Sequence, residues 1–146
     1  MLKESRIDLY DYLYNLFVDT VTTNVYVVNE PQELTSSDTS QGFLVIRAGN
    51  INDESEFSRQ AYGWVRCYIE AYVPPISRGR LDYERYKSFE DSINRVIELA
   101  SAETAGVYHI QEESIISADT LEVSNANNAY HVFIKSFIVS IDEQED

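Results

Sequence analysis

The side chains that could carry out chemistry are few and widely spaced. The sequence has two histidines, His109 and His131, and one cysteine, Cys67. A zinc site needs three or four ligands, and no second histidine lies at metal-ligand spacing from either of these. We therefore expect no metal site. Both histidines fall in predicted strands, where a surface or hydrogen-bonded histidine is the commoner case.

Carboxylates are abundant, but their pattern does not indicate acid–base catalysis. The pairs Glu54/Glu56 and Glu112/Glu113 are typical of solvated faces. Catalysis needs two carboxylates held in different environments within a cleft. The sequence also lacks a Gly-x-Ser-x-Gly elbow, a phosphate-binding loop and a dinucleotide fingerprint. We expect no enzymatic activity, no catalytic residue and no bound cofactor.

Cys67 is interpreted as a buried, inert thiol. It shares the small, apolar face of a predicted strand with Val65 and Ile69. Burial on that face suppresses the reactive thiolate. A single cysteine cannot form an intramolecular disulfide, which fits a reducing compartment.

Composition indicates one folded domain over residues 1–146. Hydrophobic residues make up 44% and charged residues 25%, the proportions of a folded soluble protein. No window holds the roughly 18 apolar residues of a membrane helix, and the first residues lack the plan of a signal peptide. The net charge of −14 repels phosphate and disfavours nucleic-acid binding.

The spacing of apolar residues predicts the helices and strands that would position any site. Apolar residues at helical spacing predict helices over 3–19 and 82–101. Alternating or β-branched runs predict strands over 25–28, 43–47, 60–73, 108–116 and 130–141. We expect polar loops at 30–41, 50–58 and 117–129, and a disordered acidic tail at 142–146. The order helix-strand-strand-strand-helix-strand-strand predicts an α+β fold: a mixed or antiparallel sheet of about five strands with two helices on one face.

The strand at 60–73 carries the candidate interface. Its small and apolar residues share one face, which should meet the helices. The other face carries Tyr62, Trp64, Tyr68 and Tyr72, interrupted by Arg66. Base stacking would need more surrounding cations, so we interpret this stripe as a sheet face that packs on a neighbour.

Basic residues cluster in this strand and just after it. Five of the eleven fall within 22 positions, namely Arg66, Arg78, Arg80, Arg85 and Lys87. Two interpretations stay open. The cations pair along the helix with Asp82, Glu84 and Glu90, or they form a positive edge that meets an acidic edge of the next copy.

Four segments and the order of elements resemble the tail-terminator and tail-completion proteins of the tailed-bacteriophage neck, where head and tail join. The segments are 9–14 (LYDYLY), 62–72 (YGWVRCYIEAY), 93–97 (INRVI) and 130–135 (YHVFIK). The likeness is a pattern of elements over nearly the whole chain, and neither the 30–41 loop nor the acidic tail has a counterpart.

The resemblance implies a structural virion protein without catalytic residues, assembled in the bacterial cytoplasm. Copies would form a ring, commonly of six, that caps the tail tube and docks other tail and neck proteins. Genome DNA would pass its acidic lumen without specific binding. Subunit contacts are expected at Arg66, Arg78, Arg80 and Arg85 and at the four aromatic residues of the stripe.

Two alternatives remain open at this point. A nuclear-transport-factor-like, cone-shaped domain also begins with a helix and curls a sheet around a ligand or catalytic pocket. It would show a buried polar pocket with an inward-facing histidine or aspartate. The other alternative is a bacterial adaptor that forms no ring.

Overall fold

A computed structural model describes residues 6–18, 20, 22, 24–29, 31, 33–49, 61–103, 106–112, 120–123 and 129–142. The elements are α1 (Arg6–Phe17), β1 (Val25–Val27), α2 (Ser36–Gln41), β2 (Phe43–Ala48), β3 (Ala61–Val73), α3 (Tyr83–Ser101), β4 (Tyr108–Glu112), β5 (Thr120–Val123) and β6 (Ala129–Asp142), with a 3-10 turn at Ser77–Gly79. The predicted α+β class is confirmed.

The strands form one mixed sheet in the order β1-β2-β3-β6-β4. Only β1 and β2 pair in parallel; the remaining pairs described are antiparallel. Strand β6 pairs with β3 along one edge, and its other edge pairs with β5 near its start and with β4 near its end. This places β6 inside the sheet, which agrees with the apolar residues on both of its faces.

Helices α1 and α3 pack on one face of the sheet and enclose the main core. The residues that β3 directs at them are all fully buried: Val65, Cys67, Ile69, Ala71 and Val73. Helix α3 begins after Asp82, whose carboxylate accepts a hydrogen bond from the Arg85 N–H at 3.3 Å. Helical spacing predicts a buried stripe of Phe89, Ile93, Val96, Ile97 and Ala100; Val96 is half-buried and the other four are buried.

Helical spacing predicts that Ile7, Tyr10, Leu13, Tyr14 and Phe17 form the buried stripe of α1. Tyr10, Leu13 and Phe17 are buried, and the Ile7 side chain lies outside the described residues. Leu9 is buried in the core, whereas Tyr14 is 37% exposed. Both apolar side chains fit helical spacing, so the sequence pattern alone does not fix which edge of the stripe faces the sheet.

The prediction of a loop over 30–41 is wrong for Ser36–Gln41, which form α2. The Thr35 hydroxyl accepts a hydrogen bond from the Asp38 N–H, and the Asp38 carboxylate accepts one from the Thr35 N–H, both at 3.1 Å. This capping box stabilises a short helix that has no apolar periodicity of its own.

The chain around α2 covers a second cluster on the opposite face of the sheet. Its buried members are Phe43, Val45, Tyr72, Tyr130 and Val132.

The 117–129 loop prediction is wrong for Thr120–Val123, which form β5 because they pair with the start of β6. The predicted strand at 108–116 is described over Tyr108–Glu112, and the rest of it lies outside the described residues. The predicted 50–58 loop and the predicted tail beyond Asp142 also lie outside the described residues. In the described ranges, no helix is long and apolar enough to cross a membrane.

Candidate interaction surface

A rigid, cationic turn follows the end of β3. We call residues 76–81 the basic turn. Pro74 and Pro75 end the strand because neither can donate to a ladder. The Ile76 N–H then donates to the Arg80 carbonyl at 2.8 Å and closes the turn. The imidazole Nε2 of His131 lies 3.0 Å from the Gly79 carbonyl and links the turn to β6. These bonds hold the turn in one shape before any partner arrives.

The basic turn exposes both charge and apolar surface. Arg78 and Arg80 are exposed and form no ion pair with any residue that the structure describes. Ile76 is 43% exposed, and Leu81 is also exposed. Apolar side chains beside exposed guanidinium groups are typical of a protein contact, in which arginine is enriched.

Two further cations of the cluster, Arg85 and Lys87, form ion pairs. Arg85 lies 3.5 Å from the Asp82 carboxylate and donates to the Gln41 carbonyl at 3.2 Å. Lys87 lies 3.4 Å from Asp91, one helical turn further along α3. The predicted pairing along the helix is therefore confirmed for Arg85 with Asp82, whereas Lys87 pairs with Asp91 and not with Glu84 or Glu90. The positive edge stays a prediction for Arg78 and Arg80.

The segment around α2 covers one end of the aromatic stripe of β3 and leaves the rest uncovered. Tyr72 is 3% exposed, stacks on Phe43 with ring centroids 4.4 Å apart, and meets the edge of Tyr130. It is therefore not at the surface of this fold. Trp64 and Tyr68 are half-buried and Arg66 is exposed, while the Tyr62 side chain lies outside the described residues.

An apolar groove lies between α1 and the far end of α3. We call it the α1–α3 groove. It has a volume of about 340 Å³ and is lined by Tyr12, Leu16, Thr20, Val96, Leu99, Ala100 and Glu103. Leu99 is 64% exposed, a large apolar area to leave in water. Burial, and secondarily the Glu103 carboxylate, raise the pKa of the Tyr12 phenol.

Sequence analysis missed this groove because its walls come from two helices. The available signal was Leu99, an apolar residue of α3 outside the buried stripe.

A buried carboxylate holds α2 against the sheet. Asp38 is fully buried, and its Oδ2 accepts a hydrogen bond from the Tyr26 hydroxyl at 2.6 Å. The Tyr130 hydroxyl donates to the Asp38 backbone carbonyl at 3.1 Å. Burial and the bond to Asp38 raise the pKa of Tyr26 to about 12. These bonds hold the segment around α2 in place over the second cluster, so we assign Asp38 a structural role.

The reactive residue types stay apart from one another. His109 lies in β4 and His131 in β6, and Cys67 is fully buried, as predicted. Among the residues placed by the structure, no three histidine, cysteine, aspartate or glutamate side chains gather where they could hold a metal ion. A scan against protein-family models finds no matching family, and a search of the curated proteins finds no similar sequence.

Proposed function

We propose that this protein is a structural assembly protein whose copies form a ring, of the kind that tail-terminator and neck proteins form at the head–tail junction of a tailed bacteriophage. The observation that carries the proposal is the basic turn. It presents two arginines and exposed apolar side chains, in a fixed shape, on a chain with a net charge of −14. The resemblance of the four segments and of the element order to that family supports the setting.

Charge gives such a turn a natural partner. On a strongly acidic protein, a local positive feature is attracted to nearly any other part of a second copy. Ring closure needs a heterologous contact, in which two different surfaces of one subunit match. The basic turn supplies one of those surfaces, and an acidic surface of the neighbouring subunit supplies the other.

The ring also gives the acidic exterior a role. DNA that moves through a channel of negative charge is repelled from its wall and does not bind there. Other tail and neck proteins would dock on the surfaces above and below the ring.

No observation on the helix-covered face of the sheet supports the cone-shaped ligand-binding alternative. Every side chain that β3 directs at the helices between Val65 and Val73 is apolar or a thiol, and each is fully buried. We therefore develop no second function.

The test is assembly of the purified protein, followed by mass photometry and negative-stain electron microscopy over a range of concentrations. We expect rings at high concentration, and we expect Arg80→Glu to weaken assembly and Arg78→Glu/Arg80→Glu to abolish it. Lys87→Glu is the matched control for the single variant. It makes the same change in net charge, from −14 to −16, at an exposed helix position.

A parent protein that stays monomeric at every concentration would contradict the ring. Equal loss of assembly in Arg80→Glu and Lys87→Glu would mean that total charge, and not the basic turn, controls association.

A further inference from the structure

The basic turn and the α1–α3 groove lie at opposite ends of α3. The turn follows Val73, and α3 begins directly after it at Tyr83. Leu99 follows Tyr83 by sixteen residues of continuous helix, which at about 1.5 Å per residue separates them by about 24 Å. A rigid helix of that length prevents the turn from reaching the groove of its own chain.

We propose that the basic turn of one copy binds in the α1–α3 groove of the next copy. This inference rests on the proposed function, because it names the two surfaces that the ring contact joins.

The two surfaces match in polarity. The turn exposes Ile76 and Leu81, and the groove offers Leu16, Val96 and Leu99. Apolar area that is exposed on both separate subunits would be removed from water in one contact.

The two surfaces also match in charge. Arg78 and Arg80 flank the centre of the turn, and the groove carries the carboxylate of Glu103. An arginine that meets a carboxylate beside an apolar contact forms a directional, charge-assisted bond, because its planar donors match the carboxylate oxygens.

The fixed shape of the turn favours this contact over a looser one. Its backbone bonds and its link to His131 exist in the single subunit, so binding orders little new structure. A contact between two different surfaces of a subunit is head-to-tail, and repetition of such a contact generates a ring when the rotation closes.

The experiment separates the two halves of the contact and then recombines them. The turn variant is Arg78→Glu/Arg80→Glu. The groove variant is Leu99→Lys, which places a cation where the arginines would bind and changes a residue already exposed in the fold. Ser88→Lys adds the same charge at another exposed position of α3 and is the control. Circular dichroism and thermal unfolding check that every variant folds as the parent does.

Each variant alone should associate at least about tenfold more weakly than the parent and run as a monomer. When the two are mixed, the intact turn of the groove variant can bind the intact groove of the turn variant. The mixture should therefore form a dimer and stop there, since the remaining turn and groove are both blocked. Ser88→Lys should assemble as the parent does.

Other outcomes overturn the inference in distinguishable ways. If Leu99→Lys assembles normally while the turn variant does not, the turn binds another surface and the proposed function survives. If both variants are monomeric and their mixture is too, the two surfaces do not bind each other, and the groove has a different occupant. If the parent itself never assembles, the proposed function fails and this inference fails with it.

Discussion

Asp38→Ala tests whether one buried carboxylate holds the cover on the second face of the sheet. Asp38 accepts hydrogen bonds from the Tyr26 hydroxyl and the Thr35 N–H, while its Oδ1 has no hydrogen-bond partner among the described residues. Alanine removes both accepting bonds and leaves the backbone bond from Tyr130 in place.

The expected loss of stability follows from those contacts. Loss of the bond from the Thr35 N–H to the Asp38 carboxylate costs about 1 kcal/mol, while the Asp38 backbone N–H still donates to the Thr35 hydroxyl. A Tyr26 hydroxyl left without its acceptor in a partly buried site costs about 1–2 kcal/mol more. We expect the free energy of unfolding to fall by about 2–3 kcal/mol. A domain of this size has about 5–15 kcal/mol in total.

Urea unfolding, followed by far-ultraviolet circular dichroism, measures this change. Tyr26→Phe and the double variant complete a double-mutant cycle, which isolates the hydroxyl–carboxylate bond from the capping box. We expect a coupling energy of about 1.5 kcal/mol, the size of a hydrogen bond to a charged group. A coupling near zero, or a total loss under about 0.5 kcal/mol, would refute a structural role for Asp38.

Two further predictions concern the same region. Gly42→Ala should lower the free energy of unfolding by more than about 3 kcal/mol, because φ is +89° there and an added Cβ would lie 2.3 Å from the Tyr72 carbonyl oxygen. Gly106 also has a positive φ of +92°, but an added Cβ would meet no atom within 4 Å. In the same urea assay, Gly106→Ala should lower the free energy of unfolding by only the backbone cost of about 1–2 kcal/mol. Equal losses of stability in the two glycine variants would contradict the steric argument. Tyr26 has a pKa raised from 10.0 to about 12 in the folded protein, so its contribution to stability is complete below pH 10 and is lost as the pH rises through 12. Urea unfolding between pH 9 and 12 should show stability falling more steeply in the parent than in Tyr26→Phe, and parallel curves would contradict the raised pKa.

Burial periodicity explains which elements could be predicted from the sequence. The alternation in β3 and the stripe of α3 are visible because each residue's face is set by its position in a regular element. Helix α2 has no such periodicity in its sequence. Its six residues are polar, and it forms because Thr35 caps it and because Asp38 bonds to Tyr26 and Tyr130, the latter 92 positions away. A contact of that separation leaves no local pattern.

The candidate surfaces divide in the same way. Two prolines and a helix cap mark a turn in the local sequence, and Arg78 and Arg80 lie exposed in it. Their part in a subunit contact stays a prediction. The burial of Tyr72 could not be recognised, because on β3 it is equivalent to Trp64 and Tyr68 until a distant segment covers it. The α1–α3 groove depends on how two helices pack, which is a tertiary property.

The burial of Tyr72 changes what the aromatic stripe can do in a ring. Tyr72 is the member of the stripe nearest the basic turn, so the accessible aromatic residues begin at Tyr68 and extend away from it. Trp64 lies eight residues before Tyr72, about 26 Å along the strand at 3.3 Å per residue. That separation keeps Trp64 out of the immediate contact made by the turn. We therefore expect the turn and the Trp64 region to contact different partners, so that Trp64→Ala should leave the size of the ring unchanged in mass photometry while weakening the docking of proteins above or below it.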